Sequence, residues 1–499
     1  MRRHFSIRAV HVVLWALFFI SAGFFAWNLL YGTTTLPIVR GTIAGLDVSL
    51  ALRIDALSSL LFVMVSLLGG AIGRYAIRYL DGEARQWYFF QYLLFTVCAV
   101  SLFVLSDNLL MLFAMWLATS YGLHKLLNYY EDRPQAILAA RKKIIISRVG
   151  DLALIGAIVL VYRMFGTFEF SEIFAAADQI AGDSENTGML ALIGLLFAAG
   201  AMSKSAQFPL HFWLPETMET PTPVSALMHA GIINAGGFLM IRLSPLMEHA
   251  YAAQLLLALV GATTAVFGAL VMITQNDIKK KLAYSTISQM GMMMFACGLT
   301  AYTVALFHIF AHSFYKAHAF LATGGLVAES KKTGFKLTPA PYFVLGLIAL
   351  GGLALVIFGL HYQQGAHFAI FTYGAVLLLG LFQNANRSAG GRYPVIRVST
   401  AVLAGLGIAI AVYALLEYSI GLYLNELVPI TQTSGHWNSP QGWVSIASYL
   451  IFAVGLVLSS VLMRSSANGW ARRLYVYFWN GGYFSQRSTR ILENVAAVR

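Results

Sequence analysis

Apolar residues run through this chain in long, regularly recurring blocks, with most polar residues confined to the short gaps between them. A helix needs about 20 predominantly apolar residues to cross a bilayer. Runs of that kind recur near 9–30, 52–76, 88–105, 108–127, 144–163, 189–210, 223–243, 252–274, 282–299, 302–327, 341–361, 367–383, 398–420 and 442–463. The pattern predicts an all-α membrane protein of about 14 transmembrane helices. Residues 1–463 then form a polytopic transmembrane domain and 464–499 a basic cytoplasmic tail, with both termini on one side.

Composition strengthens this picture. Of 499 residues, 59% are hydrophobic and 11% charged, against about 25% charged in an ordinary soluble domain. A water-soluble enzyme is excluded, and the gaps are too short for a second folded domain. Cys98 and Cys297 fall in separate apolar runs, so neither a disulfide framework nor a Cys-based metal site is expected. No Cys/His spacing suits a metal, so this chain is expected to hold no cofactor and to do no hydration chemistry itself.

The net charge of +12 follows topology rather than a nucleic-acid-binding face. With the N-terminus inside, the excess of Lys and Arg falls on cytoplasmic loops, as membrane proteins require. Those loops include Arg74, Arg78 and Arg85, the run from Lys125 to Arg148 with Lys142 and Lys143, and Lys279 to Lys281. Arg40, Arg53, Arg163 and Arg242 fall on the other side, where the loop 164–186 is acidic. The first run is longer than a signal-peptide core and reads as an uncleaved span. The expected location is the bacterial inner membrane.

Ionisable side chains inside the spans carry the chemical signal, because each costs about 2.5–3.5 kcal/mol at a helix centre and commonly marks a pathway. They are Asp151 in the fifth span, Lys204 in the sixth, His229 in the seventh, and His308, His312 and Lys316 in the tenth. The last three are spaced i, i+4, i+8 and line one helical face over about 12 Å. Imidazole both donates and accepts, and titrates near ordinary pH, so such a line suits proton relay. The plainer reading is polar residues satisfied by neighbouring helices. Lys204 precedes Pro209 and Pro215, which break the helix, and Pro221 and Pro223 open the next. Breaks at membrane depth are tolerated where freed backbone groups face protein or a wet cavity. The alternative for Lys204 is an interfacial, snorkelling lysine. Asp151 is the candidate carboxylate partner of Lys204; the alternative is that it only neutralises Arg148 one turn earlier.

The run from Lys204 to Leu210, Trp213-Leu214-Pro215, and Pro221 to Ala230 resembles the signature of the proton-conducting antiporter-like membrane subunits of respiratory complex I and Mrp-type antiporters. Arg148 to Asp151, Asp277 to Gln289, and Phe307 to Ala317 match in the same order, so the likeness covers about 108–327. The resemblance implies two inverted five-helix repeats, here near 88–243 and 252–383. It also implies Lys204 as central proton carrier, His229 with His308 or His312 as relay, Lys316 as onward link and Asp151 as an acidic pathway position.

Departures from that pattern sharpen the expectation. Relatives in complex I carry a glutamate directly after a tryptophan in the fourth span, whereas Trp116 is followed by Leu117. The eleventh span, from Phe343 to Leu360, has no charge, and a basic tail rather than a long lateral helix follows the core. These features resemble the DabB type of subunit, the ion-conducting half of the DAB inorganic-carbon accumulation complex. That resemblance implies a heterodimer with a DabA-like partner on the cytoplasmic side, carrying zinc in a site similar to β-carbonic anhydrase. Two other readings stay open: a proton-translocating subunit of a complex I-like or Mrp-type assembly, and a scaffold whose polar groups only pack helices.

Overall fold

Polar caps at Asp55, Asn108 and Asp277 and first-turn prolines at Pro134 and Pro223 mark several helix starts, where the apolar interiors give no boundary. The computed structural model describes residues 2–43, 46–180, 184–323, 440–463 and 469–497. In chain order it contains α1 (Arg2–Tyr31), the antiparallel hairpin β1 (Thr34–Ile43) and β2 (Leu46–Ile54), α2 (Ala56–Tyr79), α3 (Gln86–Val104), α4 (Leu109–Leu127), α5 (Pro134–Phe165), α6 (Phe170–Ile180) and α7 (Ser184–Lys204). After a break come a 3-10 segment (Leu210–Glu219), α8 (Thr222–Ala230), a 3-10 turn (Ile232–Asn234), α9 (Ala235–Arg242), α10 (Ser244–Met247), α11 (Tyr251–Thr274), α12 (Ile278–Gly298) and α13 (Tyr302–Thr323). The C-terminal group is α14 (Pro440–Met463), α15 (Gly469–Trp479) and α16 (Phe484–Ala497). The expected spans 341–361, 367–383 and 398–420, and hence the end of the second expected repeat, lie outside the described residues.

Among the described residues, eight helical stretches are long and apolar enough to cross a membrane. The fifth helix turns its polar residues inward and its apolar ones outward: α5 buries Lys142, Lys143 and Asp151 while exposing Ile145, Val149, Leu152 and Ile155. Small residues let the helices approach closely, as membrane bundles require. A Cβ on Gly261 of α11 would collide with the backbone N of Phe295 on α12, and one on Gly291 with that of Ala265.

Four expectations are corrected. The fold is not purely α-helical, because residues 34–54 pair as a hairpin with Thr34 opposite Ile54 and Ile43 opposite Leu46. Its register shifts between Pro37 and Val39, where proline has no N–H to give. The second span therefore begins at Ala56, not residue 52, behind a capping box in which Asp55 accepts from the Ser58 backbone N–H and the Ser58 hydroxyl answers. The acidic loop 164–186 contains α6, which buries Phe170, Ile173 and Ala177. Finally, α5 starts well before residue 144: Pro134 sits in its first turn, and the helix runs to Gly166, whose φ of +71° closes it. Lys142 and Lys143 are thus buried helix residues, 1% and 2% exposed, rather than loop residues.

Candidate functional site

The α7 helix stops at Lys204 because Ala206 adopts a left-handed φ of +48° and Pro209 follows directly after Phe208. The second break, between α8 and α9, lies beside the first: the Ser205 hydroxyl donates to the Ile233 carbonyl at 2.6 Å. Asn234 in that turn donates to the Ala230 carbonyl at 2.8 Å and to the Ser313 hydroxyl at 2.9 Å. Two broken helices are thereby tied to α13 through polar groups, which satisfies backbone that the breaks release.

Lys204 is 5% exposed and level with Trp116 and Asp151, which lie near the middle of α4 and α5. Its ammonium donates to the Trp116 carbonyl at 3.2 Å, the Thr119 hydroxyl at 3.3 Å and the Ser120 hydroxyl at 2.5 Å. It also lies over the Trp116 ring, 4.3 Å from its centroid, a favourable position for a cation. Asp151 is within electrostatic reach of Lys204 but makes no ion pair with it. Its carboxylate instead accepts from the Trp116 indole N–H at 2.8 Å and pairs with Arg148 at 2.8 Å. The direct pairing expected for Asp151 and Lys204 is corrected: a tryptophan stands between them, and the neutralisation of Arg148 is the contact formed.

The second cluster lies where α8, α12 and α13 meet. His308 and His312 stack with ring centroids 5.6 Å apart, one turn along α13. His312 lies within electrostatic reach of His229 and Lys316, and neither of its ring nitrogens meets a protein partner among the described residues. His229 stacks on Phe320 at 4.3 Å, and its Nδ1 lies 3.1 Å from the Thr286 hydroxyl. That hydroxyl is 3.0 Å from the Leu282 carbonyl, which also accepts from the Lys316 ammonium at 3.1 Å. Buried polar groups with spare bonding capacity are expensive unless water or a proton partner reaches them. The arrangement of imidazoles, hydroxyls and amines is therefore suited to passing protons rather than to covalent chemistry. Among the described residues, no group of three or more His, Cys, Asp or Glu could hold a metal ion.

The structure brings Lys204 and Asp151 to one site and His229, His308, His312 and Lys316 to another. Sequence reading missed Lys143, Ser120 and Thr286. Lys143 donates to the Ser120 carbonyl at 3.0 Å, so two buried lysines converge on one serine. Its signal was the spacing Ala136, Ala140, Lys143, Ser147, Gly150, Leu154, all buried on one face of α5.

Residues 106–338 match the family described as NADH:quinone oxidoreductase/Mrp antiporter, TM, and residues 41–90 match NADH-ubiquinone oxidoreductase (complex I), chain 5 N-terminus. The chain is 33% identical over 424 residues to the probable inorganic carbon transporter subunit DabB of Hydrogenovibrio crunogenus, covering 84% of this chain and 78% of that one. It is 42% identical over 299 residues to the probable inorganic carbon transporter subunit DabB2 of Halothiobacillus neapolitanus, covering 60% of this chain and 53% of that relative, about half its length. The fold is similar to that of the Mrp complex from Dietzia sp. DQ12-45-1b, with a TM-score of 0.63, 22% identity, and coverage of 99% of this chain and 61% of that one. It is also similar to respiratory complex I from Thermus thermophilus, with a TM-score of 0.56, 21% identity, and coverage of 97% and 96%. With its run of apolar helices, the chain is a multi-pass membrane protein that belongs to the antiporter-like subunit family of complex I and Mrp complexes, where it is most like the DabB subunits.

Proposed function

We propose that this chain conducts protons across the bacterial inner membrane and so energises the conversion of CO2 to bicarbonate by a DabA-like, zinc-containing partner on the cytoplasmic side. The observation that carries this reading is Lys204: a buried amine at a helix break, level with the middle of its neighbours and held by a carbonyl and two hydroxyls. Such a group takes up and gives away a proton without an ion pair to dismantle. In this reading Lys204 is the central carrier, His229, His308 and His312 pass the proton on, Lys316 continues the line, and Asp151 tunes Lys204 through Trp116.

The magnitudes suffice. One charge crossing about 100 mV supplies about 2.3 kcal/mol, and tenfold accumulation of a solute requires about 1.4 kcal/mol. The relatives named as probable inorganic carbon transporter subunits support the cargo. A second reading, a proton-translocating subunit of a complex I-like or Mrp-type assembly, is supported by 36% identity over 326 residues to NADH-ubiquinone oxidoreductase chain 5 of Dictyostelium citrinum. Leu117, where complex I relatives carry a glutamate, favours the first. Purification from native membranes with identification of bound proteins and metal separates them. A single soluble partner carrying zinc is the expected result, whereas several homologous membrane subunits would favour the second reading.

A further inference from the structure

Two amines meet at Ser120. Lys143 donates to its carbonyl at 3.0 Å and Lys204 to its hydroxyl at 2.5 Å, both side chains being buried. Among the described residues, neither amine has a carboxylate within 4 Å, because Asp151 is taken by Arg148 and Trp116, and Glu216 by Lys142. Two ammonium ions on one serine, both buried, repel each other. The stable arrangement is one proton held between two amines. Neutral Lys143 can receive the proton that charged Lys204 gives up, and the reverse, with the total charge unchanged.

Position gives the pair a direction. Lys143 lies two turns before Asp151 on α5, about 12 Å along the axis, toward the helix end that carries Arg133 and Lys142. Lys142 beside it reaches Glu216, whose side chain is 20% exposed. The other titratable and charged groups facing this neighbourhood are His124 and Lys125 on α4, Lys204 on α7, and Arg148 and Asp151 on α5 itself.

We infer that Lys143 is a proton-pathway residue that takes the proton from Lys204 and passes it toward the cytoplasmic end of α5. The inference rests on the proton-conducting reading above. In the transfer, one N–H bond on Lys204 breaks and one on Lys143 forms, the proton crossing by way of a bridging water beside Ser120.

The test uses the complex purified from native membranes and reconstituted in liposomes with an internal pH dye, with flux driven by a potassium diffusion potential. In wild type Lys143 accepts the proton that Lys204 releases, so flux should follow the profile of a coupled pair of amines. In Lys143→Gln the proton must leave Lys204 without that acceptor, so flux should fall about tenfold or more at neutral pH and lose the coupled profile. Lys143→His should restore flux with a new inflection near the imidazole value of about 6.5, which a packing role would not produce. If the Gln variant does not assemble, the profile of the His variant decides. Wild-type flux and pH profile in the Gln variant, or in the His variant where it alone assembles, would overturn the inference. Lys204→Gln separates the two claims: if it conducts normally, the proton-conducting reading itself fails, whereas its loss beside a normal Lys143→Gln removes only Lys143.

Discussion

The Lys204 ammonium lies over the face of the Trp116 ring, 4.3 Å from its centroid, and donates to the carbonyl oxygen of the same residue at 3.2 Å. The indole N–H points away, to Asp151 at 2.8 Å. Trp116 thus joins an amine to a carboxylate that do not touch. Trp116→Phe keeps a ring face under the amine but removes the N–H. A hydrogen bond to a charged group contributes about 1.5–3 kcal/mol, so proton flux in reconstituted liposomes should fall about tenfold while assembly persists. Unchanged flux would mean that Asp151 does not communicate with Lys204 through the indole.

The Thr286 hydroxyl lies between His229 and the carbonyl that Lys316 uses. Thr286→Val preserves shape and removes that hydroxyl. Flux should drop by about a hundredfold, as for loss of one proton-transfer group, with thermal stability nearly unchanged. His312→Ala should abolish coupling and leave assembly intact. Retained ion-dependent uptake in His312→Ala would take that residue out of the pathway.

At the opposite end of α9, Asp55 pairs with Arg242 and with Arg53, which also reaches Asp107 at 3.3 Å. Burial pushes the Asp55 carboxyl up, but the Arg242 and Arg53 guanidiniums and the Ser58 N–H outweigh it and hold the group below its ordinary value. A lowered carboxyl stabilises the fold above its ordinary titration range, and that contribution is lost as pH falls through it. Asp55→Asn strands a buried guanidinium and should cost about 3–5 kcal/mol near neutral pH. Its Tm in detergent should fall and lose its dependence on acid. A Tm equal to wild type at neutral pH would show the cluster to be dispensable.

Lys142 binds Glu216 at 2.6 Å and the Thr489 hydroxyl of α16 at 2.7 Å, while Phe484 packs against Phe208 and His211. Lys142→Met should release α16. Hydrogen exchange over residues 484–490 should rise by about tenfold or more, matching loss of about 1.4 kcal/mol of local stability. Unaltered protection would mean that the aromatic contacts alone hold the tail.

Much of this was legible because lipid leaves little choice: apolar length marked the helices, and a buried charge within one marked the site. Lys204, His229, His308, His312 and Lys316 stood out for that reason. The hairpin did not, since Leu52, Arg53 and Ile54 read as the start of an apolar run and hydropathy alone does not separate strand from helix. Lys143 was hidden among the basic residues from Arg141 to Arg148, where charge density resembles a loop and only the 3–4 spacing reveals a buried face. The pairing of Asp55 with Arg242 joins residues 187 positions apart, beyond any local pattern. The Trp116 bridge needed side-chain geometry, because spacing cannot say which of two groups reaches a carboxylate first.

The central claim is that Lys204 carries the transported proton. Its most direct test is potential-driven proton flux through the intact complex in liposomes, compared between wild type and Lys204→Ala. The account predicts loss of flux in the variant with normal insertion and partner binding; flux at the wild-type rate would contradict it.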